Sequence, residues 1–589
     1  MARLVIDPVT RIGGHLRIET SVSSGQVTDA WSSGTMFRGI ELVLRGRDPR
    51  DAWVFAARTC GMCTGVHALG SVRAVENALR ISIPRNARLI RNLLAGTGFV
   101  QDHVVQFYQL QSFDWVDVVA ALEADPAATA ALAKTQSDHP LATVEYFRGV
   151  QSRLQALHAS GQLGLFAQGY WGHPAYALTP AQDLLLVAHY FEALDWQRTL
   201  MRIHTLLGGI SPHAATFLVG GMAVVPPWGG PARASSGEHP QQVDRKSPDA
   251  LSATGLKDIG DIIDITRRFV DQVYAPDVAL LARAYPEWAA IGRGRANFLS
   301  YGEFPENDAG DAWLMPAGRV MDGDLTRALP IDESGVAEAV VHSWYAIAGD
   351  PAALTPPAQG ETVPAYAGPA LPLTTLEGAD RYSWIKAPRY QDDAMEVGPA
   401  ARLLVGYAGG TGDLRSRVDA AAALLGGEPA ALASTLGRTV ARSVEVQLLV
   451  SRFTDWLRQL EANLASGDLA VADVTKWDPG SWPSSASGHS LGEGPRGAVG
   501  HWMSIADRQV DTYQIVDAST WNASPRDGQG RRGALEEALV GTPLSDPDRP
   551  LEILRTVHAF DPCTACAVHA YDPTDRGPIG IRVSPGGAR

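Results

Sequence analysis

The chain has 589 residues, and its 50 Lys+Arg against 64 Asp+Glu leave a formal charge of −14. With 45% hydrophobic and 19% charged residues it has ample material for a core, which excludes disorder as its main state. The acidic balance, with no Lys/Arg cluster anywhere, excludes nucleic acid as a partner, because phosphate binding needs a basic footprint.

From Met1 to about Leu44, short alternating apolar runs (LVID, HLRIET, VTDAW) separated by Gly and Ser predict a small antiparallel sheet. SVRAVENAL then begins a helical pattern that Pro84 interrupts, and from about Arg88 to Glu123 apolar residues recur at helical spacing. Further helices are predicted near 181–207, 257–287, 334–347 and 417–465. Gly/Pro-rich stretches from Pro226 and from Leu354 read as surface loops, and no fixed-period repeat is present. The predicted class is α+β and helix-dominated: a central bundle of long helices, a small N-terminal antiparallel sheet and long loops.

The start, MARLVIDPVTRIGGH, lacks the features of a secretory signal, so no export signal is expected on this chain. The longest uncharged stretch, Thr205 to Ala232, is broken by Gly-Gly and Pro-Pro steps and by His213, so no transmembrane segment is expected.

The chain has four cysteines, and each belongs to a Cys-x-x-Cys: Cys60 and Cys63 in RTCGMCTGVH, Cys563 and Cys566 in DPCTACAVH. Two such turns direct four sulfurs to one centre, which suits a metal. A structural zinc is the plain alternative, but zinc ribbons bring their pairs within about 15–20 residues. Here Cys63 and Cys563 are 500 positions apart, so a shared site would close the whole chain. Two disulfides or a thioredoxin-like redox pair explain neither the matched pairs nor the histidines that follow them, His67 and His569.

RTCGMCTGVHALGSVRAVENAL and AFDPCTACAVH resemble the two end motifs of the nickel-iron hydrogenase large subunit. The resemblance continues through DPVTRIGGHLRIE, GTMFRGIELVLRGRDPRDAW, DHVVQFYQLQSFDWVDV, LGGISPHAATFLVGGM, GPRGAVGHW and STWNASPRD, nearly the entire chain, and is strongest to the respiratory uptake branch. It implies that Cys60, Cys63, Cys563 and Cys566 bind nickel. Cys63 and Cys566 would also bridge to an iron carrying one carbon monoxide and two cyanides. It further implies a magnesium held by Glu41, His569 and the backbone carbonyl of Ile515. Arg496, next to Pro495 in GPRG, would hang over the open site with Asp102 and Asp561 and assist heterolytic cleavage. Pro495 and Ser519 would line the cofactor pocket, with Ser519 hydrogen-bonding a cyanide, and His67 would hydrogen-bond a bridging thiolate.

The sequence departs from the family at Gly13, where RIEGH becomes RIGGH. The missing glutamate is the family's first proton acceptor from a nickel-bound thiolate, so a route through the arginine and its carboxylates or through ordered water is expected instead. Gln106, Gln109 and Gln111 stand where relatives carry histidines, and Asp517-Ala518 where a Val-Pro usually precedes the serine or threonine.

All four cysteines are committed to one site, so none remain for iron-sulfur clusters. The resemblance implies an iron-sulfur small subunit as partner, with His213 near its proximal cluster. It also implies export of the pair to the periplasmic side of the cytoplasmic membrane, and a possible membrane cytochrome b. Residues 1–569 are expected to form the catalytic domain. The tail 570–589 is expected to be removed after His569 by a maturation endopeptidase. The expected activity is oxidation of dihydrogen to protons and electrons. The alternatives are a hydrogen-sensing subunit, whose relatives typically lack the tail, and a structural four-thiolate zinc protein.

Overall fold

The computed structural model describes residues 2–63, 65–161, 163–224, 251–346, 349–366 and 375–567. Its class is α+β and helix-rich, with several small sheets. Strands β1 (Ala2–Ile6), β2 (Leu16–Ser23) and β3 (Gln26–Gly34) form the expected antiparallel sheet, with Ile6 opposite Ile18 and Leu16 opposite Gly34. The connection between β1 and β2 carries Gly13 away from the sheet into a parallel bridge with Cys563.

After the first cysteine pair, helix α1 (Val66–Leu79) ends at Arg80 in the left-handed conformation. Pro84, extended at φ −61°, then opens α2 (Arg85–Val105), since its fixed φ and missing N–H suit a helix start. The helix continues as a π-turn over Gln106–Gln111 and stops well short of Glu123. Beyond it, the Asp117 carboxylate accepts the N–H groups of Val119 and Ala120 at the start of a short 3-10 turn over Ala120–Glu123.

Helix α3 (Pro180–Leu200) begins in a capping box between Thr179 and Gln182, and α4 (Ala253–Phe269) begins with Ser252 as its cap. Strands β4 (Phe298–Pro305) and β5 (Trp313–Val320) pair antiparallel, while Glu396–Val397 adds to β4 in parallel. The helix expected at 334–347 is absent. That segment forms β6 (Val336–Ala339), paired antiparallel with β7 (Ala387–Tyr390). Its Val336 is fully buried, and pairing with a strand some fifty residues on overrides the local helical spacing.

Helix α5 (Pro399–Ala408) follows. The single helix expected over 417–465 is two, α6 (Gly412–Leu424) and α7 (Thr435–Ala465), separated at Gly426 and Gly427, whose φ values are 98° and 101°. Helices α2 and α7 pack together. Leu89, Leu93, Val100, Leu436, Leu449 and Phe453 are buried in the largest apolar cluster, which α3 and α4 also line.

A second three-stranded meander was not expected from the sequence: β8 (Ser485–Gly494), β9 (Gly497–Ala506) and β10 (Gln509–Val516), packed on α1. Its first turn is Pro495–Arg496, between the paired Gly494 and Gly497. Short helix α8 (Ala518–Asn522), then α9 (Leu551–Phe560) and α10 (Thr564–Ala567), return the chain to the first cysteine pair. Among the described residues no helix is long and apolar enough to cross a membrane.

Candidate metal centre

Cys60 is extended after a short 3-10 turn, and its sulfur accepts the N–H groups of Met62 at 3.2 Å and Cys63 at 3.1 Å. Cys563 lies three residues beyond the end of α9, after Asp561 turns the chain through a left-handed conformation at φ 53°. The two sulfurs, 503 positions apart in sequence, are 3.4 Å apart. This is too long for a disulfide, whose S–S bond is about 2.05 Å, so the two sulfurs are not bonded to each other. Both are buried, and Cys63 is half-buried at the rim. Among the described residues no three His, Cys, Asp or Glu side chains are gathered at metal-binding distance. Two of the expected ligands, the Cys566 side chain and His569, lie outside the described residues.

The donor chemistry nevertheless fits a soft metal. Amide donors on Cys60 and the positive field of Arg496 on Cys563 and Cys63 all favour thiolates, the form that binds nickel and iron.

Arg496 closes this cluster from above. Its Nη1 donates to Asp102 Oδ2 at 2.5 Å, and its Nη2 donates to Asp102 Oδ1 at 3.0 Å and Asp561 Oδ1 at 3.1 Å. All three are buried, and the two carboxylates hold Arg496 firmly protonated despite burial. Burial pushes the Asp561 carboxyl up to about 6 against the pull of Arg496, and the neighbouring Asp102 adds to the rise. Asp102 comes from the last turn of α2, and the turn carrying Pro495 and Arg496 is held by Arg402 of α5. Arg402 donates to the carbonyls of Gly494 at 2.8 Å and Pro495 at 3.0 Å, and pairs with Glu445 and Glu493, each at 2.7 Å. His103 reaches the same Glu445 at 2.9 Å. Sequence reasoning missed this clamp, because Arg402, Glu445 and Glu493 sit in three separate segments with no shared motif.

Ser519, at the start of α8, accepts the backbone N–H of Cys563 at 2.8 Å, which leaves its own hydroxyl proton free to donate. Asp517 caps α8 by accepting from Thr520 N at 2.8 Å, so a side-chain cap holds this segment. Gln106 donates to Gln111 and to the His558 carbonyl, each at 2.8 Å, and Gln111 bonds Thr439. Half-buried Gln109 has both amide atoms buried without a hydrogen-bond partner among the described residues.

His67, on the first turn of α1, is buried, and burial lowers its pKa to about 4. Its Nδ1 is 3.2 Å from His501 Nε2, and His501 Nδ1 is 2.8 Å from the Tyr513 hydroxyl. His501 stands in GPRGAVGHW, but nothing in that motif singles it out, and Tyr513 carries no sequence signal.

Glu41, in a short helix over Ile40–Leu44, is buried. Its carboxylate accepts the N–H of Ile515 at 2.8 Å and the hydroxyl of Thr362. Ile515 therefore meets Glu41 through its N–H. Lys386, bonded to Glu338 at 3.1 Å and to the Gln514 amide oxygen at 2.8 Å, stays protonated, since the Glu338 and Glu41 carboxylates outweigh its burial. A buried carboxylate with lone pairs to spare fits a hard cation.

Gly13 packs directly on the cluster. A Cβ there would lie 2.6 Å from Cys563 Sγ and 3.0 Å from Met62 Sδ. A mainly apolar cavity of about 270 Å³ is lined by Met62, Leu69, Leu94, Phe99 and Phe217 together with Cys63 and Asp102.

The sequence profile described as Nickel-dependent hydrogenase matches residues 38–569. The chain is 45% identical over 596 residues to the uptake hydrogenase large subunit of Rhizobium leguminosarum bv. viciae, covering 99% of this chain and 97% of that protein. It is 43% identical over 598 residues to the hydrogenase-1 large chain of Escherichia coli K12, with the same coverage. Among solved structures, the Ni-Fe-Se hydrogenase of Desulfovibrio vulgaris Hildenborough superposes with a TM-score of 0.74 at 30% identity, over 96% of this chain and all of that one. With the profile spanning most of its length and full-length relatives well above 40% identity, the chain belongs to the nickel-dependent hydrogenase family.

Proposed function

We propose that this chain is the catalytic large subunit of a nickel-iron hydrogenase that works in dihydrogen uptake, cleaving it to protons and electrons. One observation carries the reading: two Cys-x-x-Cys turns from opposite ends of the chain bring Cys60 and Cys563 to 3.4 Å beneath Arg496, in a chain whose family is nickel-dependent. Cys60, Cys63, Cys563 and Cys566 would hold the nickel-iron centre through their sulfurs. The bound centre supplies a Lewis acid that polarises dihydrogen and takes up its electrons.

The protein's own groups do the rest. Arg496 presents a fixed positive charge to the open face, held by Asp102 and Asp561 so that no reorganisation is needed during cleavage. Asp561, raised towards neutrality, is suited to exchange a proton beside the sulfurs. Ser519 keeps a hydroxyl proton for a cyanide while fixing the Cys563 backbone, with Pro495 lining the pocket. Dihydrogen is apolar, which suits the cavity that Cys63 and Asp102 help to line. With Gly13 in place of a carboxylate, the proton leaves through the canopy that Asp102 and Asp561 form around Arg496, carried by the aspartates, or through water.

A magnesium at Glu41 and His569, completed by the Ile515 carbonyl, would add a hard cation to the buried oxygen cluster. With every cysteine used here, electrons pass to an iron-sulfur small subunit, as the designation large subunit in the relatives implies. Cleavage by a maturation endopeptidase after His569, export to the periplasmic side of the membrane and docking on a cytochrome b complete the proposal. The family match ending at residue 569 supports the cleavage point. The uptake names of the relatives favour an enzyme over a hydrogen sensor or a zinc protein.

The test is hydrogen-dependent dye reduction by the purified large and small subunit pair, with metal analysis. Dye reduction is expected with nickel present and with iron in excess of it, since the small subunit's clusters add their own iron, and Cys563→Ser should abolish both nickel and activity. Activity that survives Cys563→Ser would overturn the reading.

A further inference from the structure

Three buried polar side chains lead away from the sulfur cluster in a line. Tyr513 Oη meets His501 Nδ1 at 2.8 Å, and His501 Nε2 meets His67 Nδ1 at 3.2 Å. At the inner end, His67 Nε2 is buried without a hydrogen-bond partner among the described residues, within electrostatic reach of Cys60. The line joins two elements. His67 belongs to α1, while His501 and Tyr513 are diagonal neighbours on one face of β9 and β10. A Cβ at Gly70, one turn after His67, would lie 2.7 Å from His501 Cδ2, so the bare glycine makes room for the imidazole between helix and sheet.

Burial keeps both imidazoles neutral, so each ring carries one proton, and the phenol keeps its own. Two polarities of the line are then possible. If His67 Nδ1–H donated outward to His501 and His501 Nδ1–H to Tyr513, His67 would turn a lone pair towards the sulfurs. If Tyr513 donates inward to His501 Nδ1, then His501 Nε2–H donates to His67 Nδ1 and His67 keeps its proton on Nε2, facing the sulfurs. Only the second places a donor against thiolates, where a charge-assisted bond is worth about twice a neutral one.

We infer that Tyr513 and His501 are positioning residues that fix the tautomer of His67, so that its Nε2–H donates to a thiolate of the centre. The tautomer of an imidazole at a metal site is set by the bond its other nitrogen makes, and here a tyrosine two residues removed sets it. This rests on the thiolate-bound centre given under Proposed function.

The test reads the carbon monoxide and cyanide infrared bands of the purified complex in Tyr513→Phe, His501→Leu, His501→Gln and His67→Leu. A thiolate that loses a donor becomes more electron-rich and pushes density to the iron. Tyr513→Phe, His501→Leu and His67→Leu should therefore all move the carbon monoxide band to lower wavenumber. His501→Gln, whose amide can donate from the position of Nε2, should return it towards the unmodified value. Tyr513→Phe added to His67→Leu should produce no further shift. If His501→Leu fails to fold, Tyr513→Phe, which removes one oxygen atom, carries the test with His501→Gln. A band unmoved by Tyr513→Phe, or moved equally with and without His67, overturns the inference. An unmodified complex with no such bands overturns the reading of the centre, and the inference with it.

Discussion

Gly13 and Cys563 form a parallel bridge so close that any side chain at Gly13 must displace the Cys563 sulfur. The glycine is therefore fitted to this sulfur position as well as lacking the family carboxylate. Gly13→Glu should accordingly lower nickel retention and reduce hydrogen oxidation on the order of 10- to 100-fold, the scale of sub-ångström to 1 Å misplacements of reacting groups. Metal analysis beside dye reduction checks this. A Gly13→Glu complex with full nickel and faster turnover would show instead that proton exit at this position limits the enzyme.

Arg496→Lys removes a fork held by two carboxylates, and an ammonium cannot reproduce its bidentate geometry. Turnover should fall about 10²–10³-fold. Because Arg496 is not proposed as a ligand, the infrared bands should persist. Loss of the bands along with activity would mean that Arg496 is needed for assembly.

Ser519→Ala leaves the buried N–H of Cys563 without its acceptor, which costs about 1–3 kcal/mol. The thermal midpoint of the complex should drop and a cyanide band should move. A variant that loses stability while both cyanide bands stay in place would confine Ser519 to backbone support.

Glu445 gives the sign of one pH effect. Burial alone would raise its carboxyl, but Arg402 and His103 outweigh this and hold it down to about 2 from 4.5. A depressed carboxyl stabilises the fold above its unfolded value, and that stability is lost as pH falls through the folded value. Glu445→Gln should thus destabilise by about 3–5 kcal/mol, the cost of breaking a buried pair. That gap from the unmodified protein should be constant above about pH 5 and should shrink as pH falls from there towards 2. Urea midpoints measured across this range decide it. A gap that widens on acidification contradicts the arrangement.

The intact mass of the mature chain should correspond to a C-terminus at His569. A mature, active protein that retains residues 570–589 would contradict processing at that point.

The N-terminal sheet and helices α1, α3 and α4 were legible because alternation and helical spacing are local signals. Segment 334–347 was misread, because Val336–Ala339 owes its strand to β7, a partner that lies beyond any local window. The break between α6 and α7 lay in plain view at Gly426-Gly427 and was overridden by the periodicity on either side. At the site, the cysteines, Arg496, Asp102 and Ser519 stand in motifs, whereas Arg402, Glu445, His501 and Tyr513 act through packing across elements and leave no spacing to read.

The most direct measurement is infrared spectroscopy of the processed large and small subunit complex in the carbon monoxide and cyanide region, before and after dihydrogen is added. One carbon monoxide band and two cyanide bands that shift under dihydrogen are predicted. No such bands, with zinc bound in place of nickel and iron, would contradict the account.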